Sequence, residues 1–121
     1  MKLDGWSSVQ DDHVLVCLAG DLDMAVRDEL AVALVDAVDQ GFPVVVVDLS
    51  RVTLLAAAAV HALEHAAELL SRRRGVLHLV CPAANPGVLR VLRILDLDRL
   101  WPVHPDITTA VQRLHSAVKR P

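Results

Sequence analysis

One stretch near the middle of the chain, Val44 to Val60 (VVVVDLSRVTLLAAAAV), limits the possible folds more than any other. Its β-branched run, Pro43–Leu49, reads as a central strand. Asp48 and Ser50 mark an acidic exit into a short loop. A helix is then expected to begin at Leu55 or Ala56, to run to about Arg73 and to close at Gly75. A strand end that feeds a helix N-terminus is where open α/β sheets usually place their chemistry. The place is built here, yet Ala56, Ala57, Ala58 and Ala59 bring no functional group to it.

The flanks continue the alternation of strand and helix. Lys2–Val9 is weakly patterned and suits an edge strand; His13–Ala19 runs apolar and suits a strand buried on both faces, broken by Gly20. Asp23 is an N-cap candidate for a helix from about Met24 to Gln40, with Leu30, Leu34, Ala37 and Val38 on one face and Gly41 as its stop. Val60, Leu63, Ala67 and Leu70 form the buried stripe of the second helix. Val76–Val80 is a further apolar strand, and Pro86 suits the first turn of a short helix to about Leu95. A short strand near Leu100–Val103 and a last helix from Ile107 to about Lys119 complete the order. This pattern implies a parallel or mostly parallel sheet with packed helices. With no linker, repeat or low-complexity tract, residues 1–121 are expected to form one domain.

Composition excludes several functions. A net charge of −3, from 15 acidic and 12 basic side chains, argues against a nucleic-acid binder. The one basic run, Arg72-Arg73-Arg74, falls at an expected helix C-terminus, where it complements the helix dipole. Aromatic residues make up 2% of a chain that is 54% hydrophobic, so the core must be aliphatic. No run approaches the ~18 apolar residues of a membrane span, and the N-terminal residues lack the apolar core of a signal peptide. Cys17 and Cys81 have no metal-ligand spacing and suit structural thiols in the cytoplasm.

Several local motifs, taken in order, resemble the STAS family, the fold of bacterial anti-sigma factor antagonists. Gly20-Asp21-Leu22-Asp23 resembles its turn before the first helix. VVVDLSRVT, Val45–Thr53, is similar to its signature strand and exit, VVLDLSGVT. VCPAAN, Val80–Asn85, resembles its V-N-P-S-P loop, and VLRVLRILDLDRL, Val88–Leu100, its V-x-x-[VL]-L-x-x-x-G-L-D-x-L segment. The resemblance implies an α/β fold: a single STAS-like domain, a small mixed β-sheet with about four helices packed mainly on one face. It implies no catalysis and no cofactor. The implied partner is an anti-sigma factor or serine kinase, or another regulatory protein, with a homodimer as the alternative.

The chain departs from the family where function resides. The family carries Asp-Ser-Ser-Gly-Leu after its signature strand, and the second serine accepts a phosphoryl group from an anti-sigma kinase. Here those positions hold Ala56-Ala57-Ala58-Ala59-Val60, so Ala58 is a degenerate phosphoacceptor. A phosphoryl group at a helix N-terminus is well placed by the free N–H groups there, and its charge can break an interface. Alanine cannot accept it. The implied reading is a partner-binding surface without the phosphoswitch, made of Asp21, Asp23, Leu54, Leu55, Ala56, Ala57, Ala58, Ala59, Val60 and His61. The bland alternative is a merely structural helix start. A scaffold subunit of a stress-signalling or phospholipid-transport complex is a further alternative.

Three other features were open to a chemical reading. Thr53 is the nearest hydroxyl to the alanines and the candidate for a relocated phosphosite. Asp48 reads as a functional carboxylate or, more simply, as a turn-stabilising Asx residue. His61-x-x-Glu64-His65 matches the inverzincin pattern of a zinc hydrolase, in which His61 and His65 share a helix face. That reading lacks a third ligand, and the buried stripe leaves His61, His65 and Glu68 facing outward. His104-Pro105-Asp106 reads as a strand-to-helix turn.

Overall fold

The computed structural model describes residues 2–118, with side chains to residue 115. The elements are β1 (Asp4–Val9), β2 (Val14–Leu22), a 3₁₀ turn (Met24–Val26), α1 (Arg27–Asp39), β3 (Val44–Leu55), α2 (Ala57–Ser71), β4 (Val76–Val80), α3 (Pro86–Ile94), α4 (Leu97–Leu100), β5 (Val103–His104) and α5 (Ile107–Val118). The strands form one sheet in the order β1-β2-β3-β4-β5. β1 runs antiparallel to β2 and the remaining pairs are parallel, so the sheet is mixed, as expected.

Strand alternation sends side chains to two unequal faces. Val14, Val16, Leu18, Val45, Val47, Leu49, Leu77 and Leu79 join Leu30 and Leu34 of α1, Leu63 and Leu70 of α2, and Leu92 of α3 in the main core. Each fully buried leucine there stabilises the fold by about 2 kcal/mol relative to exposure. The opposite face holds a small second cluster, in which Leu15, Val46 and Val80 meet Ala110 and Leu114 of α5. The helices therefore lie mainly on one face, with α5 alone on the other.

β3 is longer than its sequence suggested. Asp48 pairs with Cys17 and Arg51 with Ala19; Val52 pairs with Gly20 and Leu54 with Asp21. β3 thus gains one residue over β2 at each of two bulges, and bulges bend and twist a strand. Its core-facing residues after the first bulge are Leu49, Val52 and Leu55, spaced by three instead of two. A period-two search cannot see such a strand, which is why residues 50–54 read as a loop. The strand β2 likewise continues through Gly20 instead of ending there. Gly20 has φ +81° at the second register shift, a backbone region that favours glycine.

Other boundaries shift for local reasons. Asp23 does cap, but its carboxylate receives the Ala25 N–H of the 3₁₀ turn at 3.0 Å, and α1 proper starts at Arg27. The left-handed residue after α2 is Arg74, φ 60°, and not Gly75. Gly75 serves close approach instead: a Cβ there would lie 2.7 Å from the Pro43 carbonyl oxygen. Leu100, placed in a strand by its sequence, ends α4, and β5 starts at Val103. Arg73 donates to the Val38 carbonyl at 3.0 Å and pairs with Asp39 at 3.6 Å, so one member of the basic run ties α2 to the end of α1. Lys119, the expected last residue of the final helix, lies outside the described residues.

Candidate functional site

The site is the junction where the bent end of β3 delivers the chain into α2. The Ala56 N–H donates to the Leu22 carbonyl at 3.0 Å, which fixes the start of α2 beside the end of β2. Ala56 has the extended backbone of an N-cap, φ −84° and ψ 167°, yet no side chain caps the helix. The first N–H groups of a helix have no intrahelical partner. The α2 terminus therefore presents uncapped donors and a positive dipole end without a hydroxyl or carboxylate to meet them.

A second loop holds this junction in place. The Asn85 side-chain amide donates to the carbonyls of Leu49 at 3.1 Å and Val52 at 2.8 Å. Both carbonyls belong to the bulged part of β3, so the residue before α3 sets the geometry of the strand that carries α2. Asp48 stabilises the same bulge: its carboxylate receives the Ser50 N–H at 2.9 Å and the Ser50 hydroxyl. The Asx interaction is present, although within a strand and not in a turn. Beyond it, the Thr53 hydroxyl donates to the Asp21 carboxylate at 2.6 Å across the β2–β3 ends.

The expected surface divides by exposure. Asp21, Asp23, Thr53, Leu54, Ala57 and His61 face solvent or its border, and Ala56 and Ala58 are half-buried. Leu55, Ala59 and Val60 point into the core and cannot present their side chains as a contact surface; Val60 reaches only the floor of a groove. This corrects their assignment as contact residues: a helix that packs on a sheet must spend part of its first turn on the core. His61, Glu64 and His65 are exposed on α2. Among the described residues no group of three His, Cys, Asp or Glu side chains is placed to hold a metal ion.

The junction also includes residues that the sequence did not single out. Ala57, Val60, His61 and Glu64 of α2 line a groove of ≈ 250 Å³ with Leu95 and Leu97 of the α3–α4 segment. Ile94, 67% exposed, Leu95 and Leu100, 64% exposed, are large apolar side chains on that segment, and Leu54 is 46% exposed at the β3 end. A chain of this kind exposes apolar residues singly without consequence, but several on one segment are informative. The signal was present in RILDLDRL: aliphatic residues that the buried positions Leu92 and Leu97 leave on the outer side. Asp96 lies between them in the left-handed region, φ 56°, at the position where the resembled segment has glycine.

With this geometry, the chain belongs to the STAS domain family, whose sequence profile matches residues 7–110. Its fold is shared with an anti-sigma factor antagonist from Mycobacterium paratuberculosis, with a TM-score of 0.84, 24% identity, and 93% of this chain and 94% of that one covered. It is similar also to the unphosphorylated anti-sigma factor antagonist SpoIIAA of Bacillus, with a TM-score of 0.78, 16% identity, and coverage of 93% and 97%. A sulfate transporter family protein from Wolinella succinogenes aligns with a TM-score of 0.75, 20% identity and 93% of both chains. No curated protein sequence matches the chain. Among the described residues no helix is long and apolar enough to cross a membrane.

Proposed function

We propose that the chain is a non-enzymatic protein–protein interaction module of the anti-sigma factor antagonist kind, which docks a regulatory protein at the start of α2 without the usual phosphoswitch. The observation that carries this reading is the uncapped α2 terminus beside the exposed Leu54 and Leu95. A structural helix start gains from a Ser or Asp cap, worth about 1 kcal/mol. An alanine cap bordered by apolar side chains fits a surface that a partner covers. The proposed partner is an anti-sigma kinase or a related regulator, because proteins of the same fold are described as anti-sigma factor antagonists. Ala58, at the family's phosphoacceptor position, leaves no hydroxyl to receive phosphate there.

Thr53 is a poor substitute acceptor. Its hydroxyl is engaged by Asp21, and a phosphate there would face that carboxylate. The scaffold reading would use the same surface with a different partner, and the fold likeness to a sulfate transporter family protein keeps it as the second choice. The test is retention of a cognate anti-sigma kinase on the immobilised chain. Wild type is expected to retain the kinase before and after incubation with ATP, and Ala58→Glu to release it. Phosphate incorporation into wild type, or loss of the kinase on adding ATP, would overturn the proposal.

A further inference from the structure

Four of the six histidines, His13, His78, His104 and His115, gather on the α5 side of the molecule, away from the α2 junction. His78 lies opposite Val46 and His104 opposite Val80 in the sheet register, on the face that carries the small second cluster. Their rings are nearly parallel, 6° apart with centroids at 5.2 Å, and His78 Nδ1 is 2.9 Å from His104 Nε2. A nitrogen-to-nitrogen contact this short needs one donor and one acceptor. One of the two nitrogens therefore carries a proton and the other does not. His104, read from the sequence as part of a strand-to-helix turn, is 5% exposed.

The charges around this pair are mostly hostile to a further proton. His13 faces His78 from the β1–β2 turn, and Arg113 of α5 faces His104, with Asp106 opposing it; Arg93 and Asp98 line a groove with His104. Burial and these neighbours push His78 down to about 4 and lower His104 as well. Among the described side chains, the attachment of α5 is slight. Of its residues with described side chains, Ala110 and Leu114 are buried, against Leu15, Val46 and Val80. A second tie runs through Asp12, which meets His13 Nδ1 at 2.6 Å and His115 Nε2 of α5 at 3.1 Å.

We propose that α5 is an acid-released cover: protonation of both rings of the His78–His104 pair breaks its nitrogen-to-nitrogen contact, and α5 leaves the sheet and exposes Leu15, Val46 and Val80. With both rings doubly protonated, two N–H donors would meet at hydrogen-bond distance. An opened α5 admits water to the rings and restores their ordinary affinity for protons, so protons bind the open state preferentially. The Asp12–His115 contact joins α5 to the β1–β2 turn and opposes release. The hydrogen bond from His13 keeps Asp12 ionised below the usual carboxylate range, so that tie persists through the pH window of the histidine pair. The device is independent of docking at α2.

Amide hydrogen exchange of the full chain at pH 7.5 and pH 5.0, corrected for intrinsic rates, tests this. Protection of α5 is expected to fall about tenfold or more relative to α1 and α2, as the lowered affinity of His78 for protons requires. The relative fall is expected to vanish in His78→Gln or His104→Gln. In His115→Gln, which leaves the pair intact, α5 should exchange faster at both pH values and keep the fall. Equal behaviour of α5, α1 and α2 in wild type would overturn the proposal. So would a fall that persists in both glutamine variants of the pair, or one that disappears in His115→Gln.

Discussion

The Asn85 side-chain amide donates to the Val52 carbonyl at 2.8 Å, and through it the loop before α3 holds the bulged strand that launches α2. Asn85→Ala removes this bond and the one to Leu49, and leaves two carbonyls without their donor. Each lost bond of this kind costs about 1 kcal/mol or more. Urea unfolding is therefore expected to show a loss of about 2–3 kcal/mol. Asn85→Asp, which cannot donate when ionised, should lose at least as much. A loss below half a kilocalorie would mean that the bulge holds without the clamp.

The bare start of α2 should be easy to improve. Ala56→Asp supplies both a cap and a negative charge at the positive end of the helix, and is expected to gain about 1 kcal/mol in the same assay. An unchanged midpoint would show that the first N–H groups are already satisfied.

Among the described residues, two that are not glycine occupy backbone conformations that suit glycine. Arg74 has φ 60° and Asp96 has φ 56°. Left-handed backbone costs about 1 kcal/mol for a residue with a Cβ, less for Asp. Arg74→Gly is expected to stabilise by up to about 1 kcal/mol in thermal or urea unfolding, and Asp96→Gly by less.

Stability should also fall with acid, with a calculable sign. His78 binds protons more weakly in the folded chain, at about 4, than in the unfolded chain, near the ordinary 6.5. The unfolded state therefore holds more protons between these values, and stability rises with pH across that window. The contribution is fully present above pH 6.5 and is lost as pH falls toward 4. For a partly exposed ring, solvent screening reduces it to about 1–2 kcal/mol. Urea unfolding at pH 7.5 and pH 5.0 checks this, with His78→Gln expected to flatten the difference.

The sequence was most legible where one period rules. Leu30, Leu34, Ala37 and Val38 of α1 are buried as their spacing required, and Val76–Val80 is the strand its apolar run suggested. It was least legible at the β3 end. There two bulges replace period two by a spacing of three at Leu49, Val52 and Leu55, and no local pattern reports a bulge bonded by Asn85, more than thirty residues away. The alanines at 56–59 were visible as a departure from the family pattern. Which of them face outward was not, because that depends on the angle at which β3 delivers the chain. The burial of His104 was equally hidden, since its partner His78 is distant in sequence.

The central claim is that a partner docks at the start of α2 around Ala58. Calorimetric titration of the cognate anti-sigma kinase into wild type, Ala58→Ser and Ala58→Glu tests it most directly. Glutamate in the first turn of a helix favours folding, so a weaker complex cannot be ascribed to an unfolded variant. The account predicts similar affinity for wild type and unphosphorylated Ala58→Ser, and for Ala58→Glu an affinity lower by about tenfold or more, the equivalent of ~1.4 kcal/mol. Equal affinity of all three variants would contradict it.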